Sequence, residues 1–310
     1  MRKFLFKLIL IAVILTAIVS VINIRYIYIK DTNSTNKFKD IPAEIQICNF
    51  GSSHGANDYY YDNWVDKYTC FNFALSSQSL DYDWRIMQCY QDNISDKGIV
   101  FITISYFSFY GIDETKTSKF LSKNRRYYRF LPKEYIKNFD WNTYIYENKL
   151  PALVAYEDLL HDIINGKKDE EIVENARDID IERYAEEAYK RHLINEKLDD
   201  NGIRIINQEY LDSLYHMIDL CKKKGAVPIL VTTPYLKEYT DMVTKKDPLF
   251  LDEFYGIIER IVADTGVKYF DFSRDERYQL AYDLFLDVDH LNHKGAIQFV
   301  DILMENVVEE

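Results

Sequence analysis

Five short apolar runs constrain the fold of this 310-residue chain more than any other feature. Each is rich in β-branched or aromatic side chains, and turn-forming residues bound it. The runs occupy residues 44–50, 68–75, 98–106, 227–233 and 267–272. Because these buried strands alternate with amphipathic stretches, the pattern predicts parallel βα units and a doubly wound α/β sheet.

Two of the amphipathic stretches predict helices with one apolar face. The first ends before Gly225, a good helix stop, and its apolar face carries Leu211, Leu214, Tyr215, Ile218 and Cys221. The second is the last of the chain, and its face carries Ala296, Phe299, Val300, Leu303 and Val307.

Residues 112–205 interrupt the alternation between the third and fourth strands. Apolar residues recur there at helical spacing, including Ile172, Val173, Ala176 and Ile179. We predict a helical insertion that lies beside the edge of the sheet where such folds bind ligands. Its expected role is that of a cap or a partner-binding element.

The N-terminus carries 17 uncharged residues, Leu8–Ile24, which is at the short end for a membrane span and too long for most cleavable signals. We therefore expect an uncleaved anchor over residues 1–30, a linker over 31–41 and one domain over 42–310.

The charges around the apolar segment predict its orientation. Three basic residues precede it, which favours a cytoplasmic N-terminus and a single-pass membrane protein whose domain lies outside the cytoplasm. A cleaved signal, with Ala17 or Ser20 near the cut site, is the alternative.

Charge and cysteine content exclude other classes of function. Beyond residue 30 the chain holds 33 basic and 50 acidic side chains, a net charge of −17 that disfavours nucleic acid as a partner. The four cysteines lack CxxC spacing, so they signal neither a zinc ribbon nor a disulfide framework; they are Cys48, Cys70, Cys89 and Cys221. We expect no cofactor.

The sequence Gly51-Ser52-Ser53 follows the first strand directly. Glycine lets the backbone turn sharply, so the serine hydroxyl projects above the sheet and its amide faces a developing oxyanion. The tripeptide alone is also compatible with an ordinary loop. Spacing favours Ser53 as a nucleophile, with Ser52 as the alternative.

A serine nucleophile needs a base, and the base needs an orienting acid. Asp287 and His290 are three residues apart before the last helix, where Asn292 is placed to cap that helix. A lone Asp-x-x-His is also compatible with a surface loop whose histidine is solvated. An O/N metal site built from Asp287, Asp289, His290 and His293 is a further alternative.

These two motifs resemble those of the SGNH, or GDSL-type, hydrolases and acyltransferases, over roughly residues 42–308 without the insertion. The resemblance implies a three-layer, flavodoxin-like parallel sheet. It also implies that Ser53 is the nucleophile, His290 the general acid and base, and Asp287 its orienting partner.

The form "HLNHKGA" of the last motif and the "VTTPY" after the fourth strand are most similar to a bacterial cell-surface branch of this superfamily. That branch includes the D-alanyl-transfer protein of teichoic acid modification and the SGNH domains of polysaccharide O-acetyltransferases. The resemblance implies an envelope glycan or acyl donor as substrate and a membrane acyltransferase as partner.

Two family motifs depart from the pattern. Asn72 is present in the second, but Ser77 stands where an oxyanion glycine would fall; its backbone N–H can still donate. The third motif, Gly-x-Asn, is absent, and Ser105 or Tyr106 is a candidate replacement donor. We expect His54 either to line the pocket or to cap a helix, and Thr233 to line the pocket.

The expected function is that of a membrane-anchored serine esterase or O-acyltransferase at the cell envelope. The alternative is a non-catalytic SGNH-fold protein that binds a glycan or a partner.

Overall fold

A computed structural model describes residues 2–30, 35–110, 124–149, 175–194, 200 and 204–308. The chain forms two compact units. One comprises Met1–Asp40 with Lys119–Glu171, and the other comprises Ile41–Ser118 with Ile172–Glu310. The predicted insertion 112–205 contributes to both units, and the bounds of anchor, linker and domain stay predictions.

The described residues form strands β1 to β5 at Ile45–Phe50, Cys70–Asn72, Ile94–Thr103, Val227–Thr232 and Lys268–Asp271. Helices α1 to α4 are Arg2–Lys30, Ser53–Asn57, Leu80–Tyr90 and Trp141–Lys149. Helices α5 to α9 are Ile181–Tyr189, Gln208–Lys224, Lys237–Lys246, Phe250–Thr265 and His293–Val308. Short 3₁₀ turns lie at Asn36–Lys39, Gln91–Asn93, Arg125–Arg129, Lys133–Tyr135, Ala176–Asp178 and Tyr282–Leu284, and a π-helical turn at Lys190–Ile194.

The first unit contains the predicted anchor. Within α1, the 21 residues Arg2–Ile22 are long and apolar enough to cross a membrane. The same unit contains the 3₁₀ turns at Asn36–Lys39 and Arg125–Arg129, where Phe38 stacks on Phe130.

The second unit is built on a parallel sheet of order β2-β1-β3-β4-β5. This is the flavodoxin-like order, in which the chain changes direction between β1 and β3. The predicted fold class is therefore confirmed. The carboxyl ends of β1 and β3 lie side by side, and in such sheets ligands bind at this position.

Three of the five predicted strands have nearly their expected bounds, whereas β2 spans only Cys70–Asn72 of the predicted 68–75 and β3 begins earlier than residue 98. It starts at Ile94 and crosses an irregular pairing with β1, because Lys97 adopts a left-handed conformation with φ 67°. The pattern of apolar residues does not predict such a bulge, because the extra residues of β3 are polar and do not pair with β1.

Both predicted helices are present. Helix α6 ends at Gly225, which has φ 81°, and the buried face of α6 includes Leu214, Ile218 and Cys221. On α9 the residues Ala296, Phe299, Val300 and Leu303 are completely buried.

Part of the predicted insertion packs in the second unit. Helix α5 buries Ala185 and Ala188, and it packs against α7. Ile172 and Val173, which belong to the predicted apolar face, lie outside the described residues.

Candidate active site

The turn after β1 requires glycine at position 51. Gly51 has φ 140°, and a Cβ placed on it would lie 2.7 Å from Cβ of Thr103 on the neighbouring strand. Its N–H donates to Oδ1 of Asp83 at 2.9 Å, which fixes the turn. Helix α2 starts at once with Ser53, whose side chain is half-buried.

Asp287 and His290 form the predicted acid–base pair. Nδ1 of His290 lies 3.0 Å from both carboxylate oxygens of Asp287. Oδ1 of Asp287 also accepts the backbone N–H of His290 at 2.9 Å and that of Asp289 at 3.0 Å. The backbone N–H groups of the loop therefore fix the Asp287 carboxylate, which in turn orients the His290 ring. Asn292 caps α9 as predicted, because its Oδ1 accepts the N–H of Gly295 at 3.0 Å.

The other ring nitrogen of His290 has no partner within the described residues. Among the described residues, Nε2 of His290 is buried and has no hydrogen-bond partner, so neither Ser53 nor Ser52 is bonded to it. Oγ of Ser52 is buried and likewise unpartnered among these residues. Catalytic hydrogen bonds are often long without substrate. The role of Ser53 stays a prediction.

A second buried carboxylate, Asp289, lies at the centre of the site. Nε2 of His54 and Nε2 of His192 are each 3.2 Å from its Oδ2. On its other side, Oδ1 is 3.4 Å from Nδ1 of His290 and 3.6 Å from Nη2 of Arg191. Asp289 is thus shared by three histidines and one arginine, and it is completely buried.

His54 links this cluster to the end of β3. Its Nδ1 lies 2.6 Å from Oγ of Ser105, and both side chains are completely buried. A carboxylate only accepts, so Nε2 of His54 carries the proton donated to Asp289, and Nδ1 accepts from Ser105. The structure therefore brings Ser105 to His54 in the interior. Tyr106 is also buried, with its ring 5.0 Å from that of Tyr235.

The two residues predicted from the second motif have different environments. Asn72 donates to the carbonyl of Gly55 at 2.9 Å and accepts the N–H of Ala74 at 2.9 Å, so it ties the end of β2 to α2. Ser77 is exposed in a turn with φ 56°. Its role as an oxyanion donor stays a prediction.

Asp58, which directly follows α2, supports the loop that carries Asp287 and His290. Its Oδ1 accepts the N–H of Leu291 at 2.9 Å. Burial raises the pKa of Asp58 to about 8. Thr233 is completely buried, and its hydroxyl has no hydrogen-bond partner within the described part of the chain.

Charge is distributed unequally over the cluster. Burial alone lowers the pKa of His290, but the carboxylates of Asp289 and Asp287 outweigh it and hold that pKa well above its usual value. Burial lowers the pKa of His54 to about 4 and also lowers the pKa of His192. Near neutral pH, His290 is therefore the charged histidine of the cluster, while His54 and His192 are neutral.

Asp289 is the matching anion. Burial alone raises the pKa of Asp289, but the charge of His290 and the hydrogen bonds from His192 and His54 bring it well below its usual value.

Donor atoms of His54, Asp289 and His290 lie within 4.8 Å of one another, a spacing that a bound metal ion would also need. Two of these residues belong to the metal set raised from the sequence. His293 does not join them, since its Nε2 is 3.2 Å from Oδ2 of Asp62. Sequence reasoning missed Asp58 and His192 altogether, because no local motif marks them.

The parallel sheet, the serine after β1 and the Asp-His pair before the last helix together define the SGNH-type hydrolase superfamily. Within it, the chain belongs to the DltD family: the family model described as "DltD protein" matches residues 143–301, just over half of the sequence.

Other comparisons add little. No curated protein matches the chain significantly. A solved structure from Bacteroides fragilis, described provisionally as an acylhydrolase, is 9% identical and covers 89% of this chain and 96% of its own. Its TM-score with this chain is 0.40.

Proposed function

We propose that this protein is a membrane-anchored, extracytoplasmic serine acyltransferase or esterase that acts on acyl groups of a cell-envelope polysaccharide. The observation that carries the proposal is the state of His290: Asp287 holds one ring nitrogen, and the other is buried without a partner in the described residues. The ring of His54, which follows Ser53, lies 4.8 Å from the ring of His290. The serine turn and the histidine loop therefore meet.

In this proposal the neutral form of His290 is the base: Ser53 attacks an ester carbonyl, and its proton passes to the unprotonated Nε2 of that ring. The amides of Ser53 and Ser77 stabilise the oxyanion. Collapse releases the leaving alcohol, which takes the proton from His290, and leaves an acyl group on Ser53. A sugar hydroxyl or water then attacks the acyl carbon and gives its proton to His290, and the departing Oγ of Ser53 takes that proton back, which restores the free serine and the neutral histidine.

Membership of the DltD family supports an envelope glycan as acceptor and a membrane acyltransferase as partner. The apolar helix Arg2–Ile22 supports anchoring.

The test is labelling by a serine-directed fluorophosphonate, read by intact-protein mass spectrometry. One adduct is expected on the full chain and on Ser52→Ala, and none on Ser53→Ala. Labelling of the Ser53→Ala variant would contradict the proposal. In a separate experiment with an acetyl ester as acyl donor, faster loss of the acetyl group from Ser53 when a polysaccharide acceptor is added would favour transfer over hydrolysis.

A non-catalytic glycan-binding or partner-binding protein is the second candidate. It is favoured by the missing third motif and by the large insertion between the third and fourth strands. It predicts glycan binding with an unreactive Ser53, and single-turnover acylation of Ser53 excludes it.

A further inference from the structure

We propose that Asp289 is a second carboxylate partner of His290, and that Arg191 and His192 control through Asp289 how readily His290 accepts a proton. The inference rests on the proposed function, because it assigns a regulation to the same base. Arg191 and His192 belong to the π-helical turn Lys190–Ile194, hereafter the control turn.

Asp289 is not needed to orient His290. Asp287 already contacts Nδ1 of His290 with both oxygens at 3.0 Å and accepts the backbone N–H of His290. The second carboxylate, 3.4 Å from the same nitrogen, therefore adds negative charge more than direction. Two carboxylates beside one imidazole stabilise its protonated form, which cannot act as a base.

The control turn supplies the opposing charge. Nη2 of Arg191 lies 3.6 Å from Oδ1 of Asp289, although more than half of the arginine side chain is exposed. Nε2 of His192 is 3.2 Å from Oδ2 of Asp289 and 3.1 Å from Nε of Arg191. Whether His192 donates to the carboxylate or accepts from the guanidinium, the turn brings one positive charge to Asp289.

The position of the control turn makes it a suitable point of control. It continues α5, whose Ala185 and Ala188 are buried, so one end is held while Arg191 reaches solvent. Single π-helical turns are frequent at functional sites. An anionic group that draws Arg191 away from Asp289 would leave both carboxylates to His290 and favour its inactive, protonated form.

Other charged or titratable groups face the cluster from each element packed against it. They are Asp287 on the same loop, His54 and Asp58 on and beside α2, and Tyr235 after β4. Of these groups His54, Asp58 and Tyr235 are buried, and the Asp287 side chain is 22% exposed compared with 57% for Arg191.

The test is the pH profile of fluorophosphonate labelling of Ser53 in the full chain. Asp289→Asn keeps the shape of the side chain and removes its charge, so the midpoint is expected to move to lower pH by about one unit or more. Arg191→Gln is expected to move the midpoint to higher pH, by less, because the arginine is exposed. In Asp289→Asn, the effect of Arg191→Gln should disappear.

Lys190→Gln is the matched control, because Nζ of Lys190 pairs with Glu186 at 2.9 Å and not with Asp289. A shift in Arg191→Gln equal to that of Lys190→Gln, opposite in sign, or persisting in Asp289→Asn would overturn the inference. So would a labelling rate that responds to EDTA in the unmodified chain but not in His54→Gln, which would assign the cluster to a metal ion.

Histidine NMR titration of Ser53→Ala separates this inference from the proposed function. The same directions of shift in the His290 midpoint are expected without any chemistry at Ser53. If the shifts appear but the unmodified chain is never labelled, the proposed function fails and the coupling stands. If labelling is normal and the shifts are absent, the coupling fails alone.

Discussion

Nε2 of His54 lies 3.2 Å from Oδ2 of Asp289, although 235 residues separate the two in the chain. This contact joins the helix after the first strand to the loop before the last helix. Both partners are completely buried, so the pair holds the two halves of the candidate site together in the interior.

Asp287→Asn should strongly reduce acylation of Ser53. The amide oxygen can still accept the two backbone N–H groups that Asp287 holds. However, the carboxylate that orients Nδ1 of His290 is lost, and in a serine protease the equivalent substitution costs about 10⁴-fold in rate. Labelling kinetics measure it, and a loss below tenfold would argue against Asp287 as the orienting acid.

Gly51→Ala should destabilise the protein by about 2 to 4 kcal/mol, since the new methyl group meets Thr103 and alanine disfavours φ 140°. Urea unfolding measures the change. Gly256→Ala, within α8 and with no atom near its added Cβ, is the matched control and should stabilise by about 0.5 to 1 kcal/mol. Equal effects at the two positions would show that the turn is not constrained.

Asp58→Asn should alter the pH dependence of stability. Burial raises the pKa of Asp58 to about 8, above its usual value in the unfolded chain, so its contribution is greatest in acid and is lost as pH rises toward 8. Asparagine keeps the acceptor for Leu291 without a proton to release. The melting temperature of the variant relative to the unmodified protein should therefore rise between pH 5 and 8, and a flat difference would contradict this.

Asn72→Ala should cost about 1 to 3 kcal/mol, because it leaves the N–H of Ala74 without a side-chain partner and removes one of two amide donors to the carbonyl of Gly55, the other being Nδ2 of Asn49. Asn63→Ala removes a single exposed hydrogen bond to Asp301 and should change the free energy of unfolding by less than about 0.5 kcal/mol. A smaller cost at Asn72 than at Asn63 would mean that Asn72 does not support α2.

Much of the fold followed from local patterns. The five apolar runs, the glycine after α6 and the spacing on α9 are each determined within a few residues, where side-chain periodicity and backbone preference act. The early start of β3 was not predictable, because a bulge depends on how the strand pairs with its neighbour β1, which is distant in the sequence.

The candidate site divides in the same way. Gly51-Ser52-Ser53 and Asp287 with His290 are short motifs, so the sequence by itself determined the turn and the pair of residues that faces it. Asp58 and His192 carry no local signature, and Asp289 was raised from the sequence only as a possible metal ligand. Only the tertiary structure decided that these groups share one buried cluster, because packing brings distant residues together and burial then sets which of them are charged.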